Sequence, residues 1–163
     1  MSLKKNMVVS IVMGSQSDWD TMKQASEVLE LFKIVHETKI ISAHRTPERL
    51  YSFSKGAEKK KIKIIIAGAG GAAHLPGMIS SMSNLPVLGV PIESRFMDGL
   101  DSLLSIVQMP FGVPTATFAV GKAGAKNAAL FAVGMLSINN RLLSKKLNEW
   151  RRVQTESVKL RPI

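Results

Sequence analysis

Three polar segments carry most of the residues in this chain that are equipped for chemistry. Gly14-Ser15-Gln16-Ser17-Asp18-Trp19 offers hydroxyls and a carboxylate. Ser42-Ala43-His44-Arg45-Thr46-Pro47 places an imidazole beside a guanidinium. Gly68-Ala69-Gly70-Gly71-Ala72-Ala73-His74-Leu75-Pro76-Gly77 offers bare backbone and a second imidazole. Each follows a short apolar run: Met7–Met13, Lys39–Ile41 and Lys63–Ala67. In a parallel α/β sheet, loops at the carboxyl ends of strands converge on one crevice, where ligands bind. The three segments are therefore expected to build one site.

Each segment suits a different part of a ligand. The N–H groups of a starting helix, with Ser15 and Ser17, suit an anion, and Asp18 suits sugar hydroxyls. A plain helix cap by Ser17 or Asp18 explains the same residues, and spacing leaves both readings open. His44 can give and take a proton near neutral pH. Arg45 can hold a phosphate or carboxylate through two parallel hydrogen bonds. Gly68–Ala73 formally matches a dinucleotide fingerprint, with Glu93 placed as its ribose acid. That motif belongs after the first strand, whereas this one follows the third apolar run and runs at once into His74 and Pro76. A simpler reading is that small residues let the backbone approach a flat ligand closely. Ala67, Ala69, Ala72, Ala73 and Leu75 would then form an apolar wall. His36, beside Glu37 inside an apolar run, reads as structural or surface.

The elements that must position these loops alternate. Strand-like runs lie at Met7–Met13, Ile34–Ile41, Ile62–Ala67, Pro86–Val90 and Thr115–Val120. Helical spacing is read over Asp18–Phe32, Pro47–Lys60, Asp98–Val107 and Lys122–Ile138. Alternation predicts a parallel sheet covered on both faces, and the continuous Val/Ile runs fit strands buried on both sides. Residues 1–163 read as a single α/β domain, with residues 1–6 as a tail. Arg141–Val158 is expected to add an amphipathic helix beyond the fifth strand. Its stripe of Leu142, Leu143, Leu147, Trp150 and Val153 points to burial on a neighbouring subunit.

Composition excludes several classes. The 45% hydrophobic and 21% charged content is that of an ordinary globular protein. No apolar run approaches the ~20 residues of a membrane span, and no signal peptide is read at the start. There is no cysteine, hence no disulfide or thiolate metal site. His-Glu-x-x-His and clustered carboxylates are absent, so no metal is expected. Gly-x-Ser-x-Gly is absent, which argues against a hydrolase triad. The formal charge of +10 comes from 22 basic and 12 acidic residues. Much of the excess lies in Lys4-Lys5, Lys59–Lys61 with Lys63, and Arg141–Arg161. These read as solvated faces, in a field that draws anionic ligands. With one tyrosine and no nucleic-acid module, no nucleic-acid partner is expected.

Taken in order, the three segments, Asp101–Pro110 and Gly121–Ala128 resemble the N5-carboxyaminoimidazole ribonucleotide mutase family in its bacterial-type class. The similarity runs from about Met7 to Glu156. It implies a three-layer, flavodoxin-like sheet of about five strands and a step of de novo purine synthesis. The carboxylate of the substrate's exocyclic nitrogen would move to ring C4, with no cofactor. By resemblance, Ser15, Ser17 and Arg45 hold the phosphate, Asp18 holds the ribose and His44 carries the proton. Ser42, Ala43, Gly70, Gly71, His74 and Leu75 complete the pocket. A cytoplasmic homo-octamer is implied, served by an ATP-dependent synthetase that makes the substrate. Ile92–Met97 and Phe111 depart from the family pattern, being bulkier. A direct aminoimidazole ribonucleotide carboxylase, a dinucleotide-binding oxidoreductase and a basic nucleotide- or nucleic-acid-binding module remain as alternatives.

Overall fold

The computed structural model describes residues 8–162. In chain order the elements are β1 (Val9–Met13), α1 (Trp19–Leu31), β2 (His36–Ile40), α2 (Pro47–Gly56), β3 (Ile64–Gly70), α3 (Leu75–Met82), β4 (Val87–Ile92), α4 (Leu100–Val107), β5 (Ala116–Thr117), α5 (Gly121–Ser137) and α6 (Arg141–Ser157). The sheet runs β2-β1-β3-β4-β5 with every pairing parallel. This is the flavodoxin-like order, whose ligand crevice opens between the first and third strands.

Alternation along the inner strands divides the core in two. Val9, Ile11 and Met13 of β1 pack with Ile64 and Ile66 of β3 against α1, α5 and α6. Val12, Ile65 and Ala67 face α2, α3 and α4 instead. Such two-sided burial requires the near-continuous apolar runs seen in β1 and β3.

Four expectations need correction. The segment ending at Gly77 is not all loop, because α3 starts at Leu75. Pro76 sits in its first turn, where a missing N–H costs little. Leu75 and Ile79 are buried at helical spacing, and Gly77 between them hides the pattern. The helix read over Pro47–Lys60 stops at Gly56 and passes into a 3-10 turn, Glu58–Lys60. The strand read over Thr115–Val120 shrinks to two residues at the sheet edge, although the Phe118 N–H still bonds the Gly89 carbonyl at 3.0 Å. Finally, β2 is an edge strand with no fully buried residue. Its Glu37 accepts the hydroxyl of buried Ser10 at 3.1 Å and pairs with Lys39 at 2.9 Å.

Three of the five residues of the α6 stripe find cover inside the chain. Leu143 and Leu147 are buried in the α1/α5 face, and Trp150 meets Phe32 edge-on at 6.3 Å. Asn140 caps the helix, its side chain accepting the Leu143 N–H at 3.1 Å, a contact worth about 1 kcal/mol. Leu142 and Val153 stay 74% and 53% exposed. His36 is structural: its Nδ1–H donates to the Ile34 carbonyl at 3.0 Å, and its Nε2 is hydrogen-bonded to the Ser26 hydroxyl at 2.7 Å.

Backbone packs closely against backbone where the chain after β5 turns into α5. A Cβ at Gly124 would lie 1.6 Å from the Ala119 carbonyl oxygen, and backbone cannot swing aside as a side chain would. Gly124→Ala should lower the urea midpoint by the equivalent of about 3 kcal/mol, the upper range for overpacking. An unchanged midpoint would show that this junction moves freely.

Candidate active site

The loop after β1 closes on itself. The Ser15 hydroxyl accepts the Ser17 N–H at 3.2 Å, and the Asp18 carboxylate accepts the Ser15 N–H at 3.0 Å. These reciprocal bonds form a capping box around a 3-10 turn, Gln16–Asp18. The side-chain cap of the 3-10 turn is Ser15, with Asp18 completing the box; Asp18 also holds the N-cap position of α1, where its side chain makes no capping bond, and Ser17 caps neither. Capping and ligand binding are also compatible here. The Ser15 and Ser17 hydroxyls lie 2.9 Å apart, and both residues line a cleft.

The loop after β2 is braced by Thr46. Its hydroxyl donates to the Ser42 carbonyl at 2.9 Å and accepts the Ser42 N–H at 3.0 Å. Pro47 then starts α2, which holds His44 and Arg45 out on an exposed turn. Arg45 links two loops: Nε donates to the Ser42 hydroxyl at 3.0 Å and Nη2 to the Gly14 carbonyl at 3.2 Å. A guanidinium has five N–H donors, so three remain to meet an anion.

The loop after β3 turns at Gly71, whose φ of 64° is the left-handed region that favours glycine. It brings His74 to His44, with Nε2 of His44 2.8 Å from Nδ1 of His74. The rings meet edge to face, 4.9 Å between centroids. One nitrogen in this contact must donate and the other accept, so the tautomer of one ring sets that of the other. Gly68 serves differently from its neighbours. It lies inside β3, and a Cβ there would fall 2.3 Å from the Met22 sulfur; it is bare so that α1 can pack.

The residues assigned to the pocket meet in one cleft of about 470 Å³, but Ala67 and Ala73 of the expected apolar wall do not line it and lie buried in the core under α2, α3 and α4. Ser15, Ser17 and Asp18 come from the first loop, Ser42, Ala43, His44 and Arg45 from the second, and Gly70, Gly71, His74 and Leu75 from the third. A fourth loop was missed as part of this wall: Ile92, Glu93 and Ser94 at the end of β4 also line it. The signal was available, because Pro86–Val90 reads as a strand and its following loop belongs at the same end of the sheet. Among the described residues, no group of three or more His, Cys, Asp or Glu is placed to hold a metal ion.

A family model described as AIR carboxylase matches residues 8–157. The chain belongs to the AIR carboxylase family. It is 57% identical over 154 residues to an N5-carboxyaminoimidazole ribonucleotide mutase of Brucella melitensis, covering 94% of this chain and 95% of that one. It is 53% identical over 159 residues to the protein of the same name in Escherichia coli strain K12, covering 97% and 94%. A crystal structure of Treponema denticola PurE superimposes with a TM-score of 0.83 at 27% identity, covering 91% of this chain and 92% of that one. The dinucleotide reading falls with membership of the AIR carboxylase family, and the geometry says why. Gly68 faces Met22, and the Glu93 carboxylate stands over Gly121 at the start of α5.

In this AIR carboxylase family member, Asp18 is the one carboxylate of the cleft that is buried, at 8% exposed. Burial pushes its carboxyl above the ordinary value, opposed by the Ser15 N–H, the Ser17 hydroxyl, the Gly14 backbone and, last, the charge of Arg45. The folded chain thus holds this proton more tightly than the unfolded one. The resulting penalty is absent below the unfolded value, and grows as pH rises through the folded one. A carboxylate under such a penalty gains from meeting hydroxyl donors. Arg45→Ala should raise the Asp18 midpoint further in a carboxyl NMR titration, and an unmoved midpoint would show that the guanidinium does not reach it.

Proposed function

We infer that this chain is an N5-carboxyaminoimidazole ribonucleotide mutase of purine biosynthesis. The observation that carries the reading is one cleft holding a histidine pair, a wall of Ala and Gly backbone, and a guanidinium with free donors. Relatives of that name, 51–57% identical over nearly the whole chain, support it.

The roles follow from the chemistry of each part. Arg45, Ser15 and Ser17 take the phosphate, and Asp18 accepts from the ribose hydroxyls. Gly70 and Gly71, with Ala43, Ser42 and Leu75, receive the flat imidazole. His44 as imidazolium protonates the exocyclic nitrogen while the carbamate C–N bond breaks and CO2 departs. The freed CO2 stays against the small-residue wall, where exclusion of water keeps it from escaping. C4 of the electron-rich ring then attacks it, and neutral His44 removes the C4 proton. One imidazole thus acts as acid and then as base, and no net proton is consumed. His74 orients His44 through the 2.8 Å contact, as the third member of a proton-transfer set does.

The assembly belongs to the same proposal. Leu142, Val153 and Phe111 are 74%, 53% and 108% exposed, apolar surface that a homo-octamer would cover. Among the described residues no helix is long and apolar enough to cross a membrane, which is compatible with a cytoplasmic enzyme. The carbamate must be made by carboxylating an aromatic amine, a step for an ATP-dependent synthetase. A bifunctional purine synthesis protein purC/E of Dictyostelium discoideum, 51% identical over 156 residues that make up 16% of its length, supports such coupling. The family's description as AIR carboxylase keeps direct carboxylation as the second reading; product formed from aminoimidazole ribonucleotide at low bicarbonate would favour it.

Spectroscopic turnover without ATP or metal tests the reading. His44→Asn should lower kcat by about 10²–10⁴-fold, the worth of general acid–base help. A wild-type rate would remove His44 from proton transfer. Arg45→Ala should raise KM for the ribonucleotide at least tenfold, the loss of one charge-assisted anion contact. An unchanged KM would take Arg45 out of the phosphate site.

A further inference from the structure

The segment Asp101–Pro110 stands out in the sequence, yet it contributes nothing to the cleft wall. The start of α4 instead grips two of the cleft's loops from behind. Ser102 is fully buried. Its hydroxyl accepts the Gly71 N–H at 2.8 Å and donates to the Ile92 carbonyl at 2.7 Å. One oxygen therefore ties the loop after β3 to the end of β4, and Gly71 and Ile92 both line the cleft. Asp101 holds the next residue out. Its Oδ1 accepts the Ser94 hydroxyl at 2.6 Å and the Ser102 N–H at 2.9 Å. Ser105 adds a third point, its hydroxyl lying 3.2 Å from the Gly71 carbonyl and 2.7 Å from that of Asp101.

We propose that Ser102, with Asp101 and Ser105, is a positioning residue for the mutase reaction, fixing the Gly70–Gly71 wall against the Ile92–Ser94 wall. The proposal rests on the mutase reading given above. A β3 loop of glycine and alanine has no side chains with which to hold itself, and Gly71 occupies backbone space that favours glycine. Within the loop the Gly71 carbonyl accepts the Ala73 N–H at 2.8 Å, but the Gly71 N–H is met from outside, by Ser102. That N–H, the Ile92 carbonyl and the Ser94 hydroxyl are the groups that α4 satisfies. Ser15, Ser17, Asp18 and Arg45 make no hydrogen bond to this clamp, so it acts on the base and carboxylate end of the cleft and not on the phosphate end. A displacement of about 1 Å among reacting groups can cost 10²-fold in rate.

The test is steady-state and single-turnover kinetics on the full chain, with product partitioning. Ser102→Ala should lower kcat by about 10- to 100-fold and leave KM within about threefold. It should also raise the fraction of substrate released as aminoimidazole ribonucleotide and CO2, because the wall that retains CO2 is no longer fixed. Ser105→Ala, which removes the peripheral contact, should move the same two readouts in the same direction by less. It decides the matter if Ser102→Ala does not fold. Asp101→Asn keeps an oxygen acceptor and should retain more activity than Asp101→Ala. If the folded Ser102→Ala and Ser105→Ala variants lose thermal stability but keep kcat and partitioning, α4 is only a brace and the proposal is overturned. If the unaltered protein fails to convert the carbamate, the mutase reading fails first and the proposal with it.

Discussion

Between β1 and β3 the chain changes the side of the sheet on which it builds. After β1 it crosses by α1 on one face to reach β2 at the edge, and after β3 it crosses by α3 on the other face. The two connections leave in opposite directions, so a crevice must open above β1 and β3. No side chain makes this crevice; handedness and strand order do. The loops that border it are free to carry chemistry because the strands beneath them are fully buried: every residue of β1 and all but the last of β3 is out of solvent.

The loops are not simply draped over this opening. Each has its backbone polar groups met by a side chain: Asp18 takes the Ser15 N–H, Thr46 takes the Ser42 N–H and Ser102 takes the Gly71 N–H. A net hydrogen bond contributes only about 1 kcal/mol, and the larger effect is that a buried group left unmet costs about 1–3 kcal/mol. That asymmetry makes the loop conformations definite. Arg45 then joins the first loop to the second, and the histidine contact joins the second to the third. A rigid surround of this kind is what precise positioning of reacting groups requires.

Much of this was legible in the order of residue types. Met7–Met13 and Ile62–Ala67 fit two-sided strands, and the turn residues after them then belong at one end of a parallel sheet. What was not legible has identifiable causes. Gly77 breaks the periodicity of α3, so the pattern there is that of a loop. His36, Glu37, Thr38 and Lys39 make β2 polar for most of its length, as suits an edge strand, but a single sequence does not say which strand will be the edge. Ser102 resembles any helical serine until Gly71 and Ile92 are brought to it. The capping role of Ser15 was hidden because Ser17 and Asp18 stand closer to the apolar stripe of α1. Local pattern announces elements, whereas contacts between residues far apart in sequence are settled only by the folded arrangement.

The basic runs acquire a meaning from where they fall. Lys33 follows α1 directly, and Lys59, Lys60 and Lys61 follow α2. Both groups precede strands and so lie at the end of the sheet away from the cleft. Helix carboxyl ends carry partial negative charge, and a cation beside one stabilises it by about 0.3–1 kcal/mol at low ionic strength. The positive helix beginnings are left for the other end, where the cleft lies. Positive helix beginnings thus face the cleft, and these lysines sit at the opposite end of the strands. Dissolved salt screens charge over about 8–10 Å near physiological strength, so an anion drawn to the cleft end would be held less tightly as salt rises.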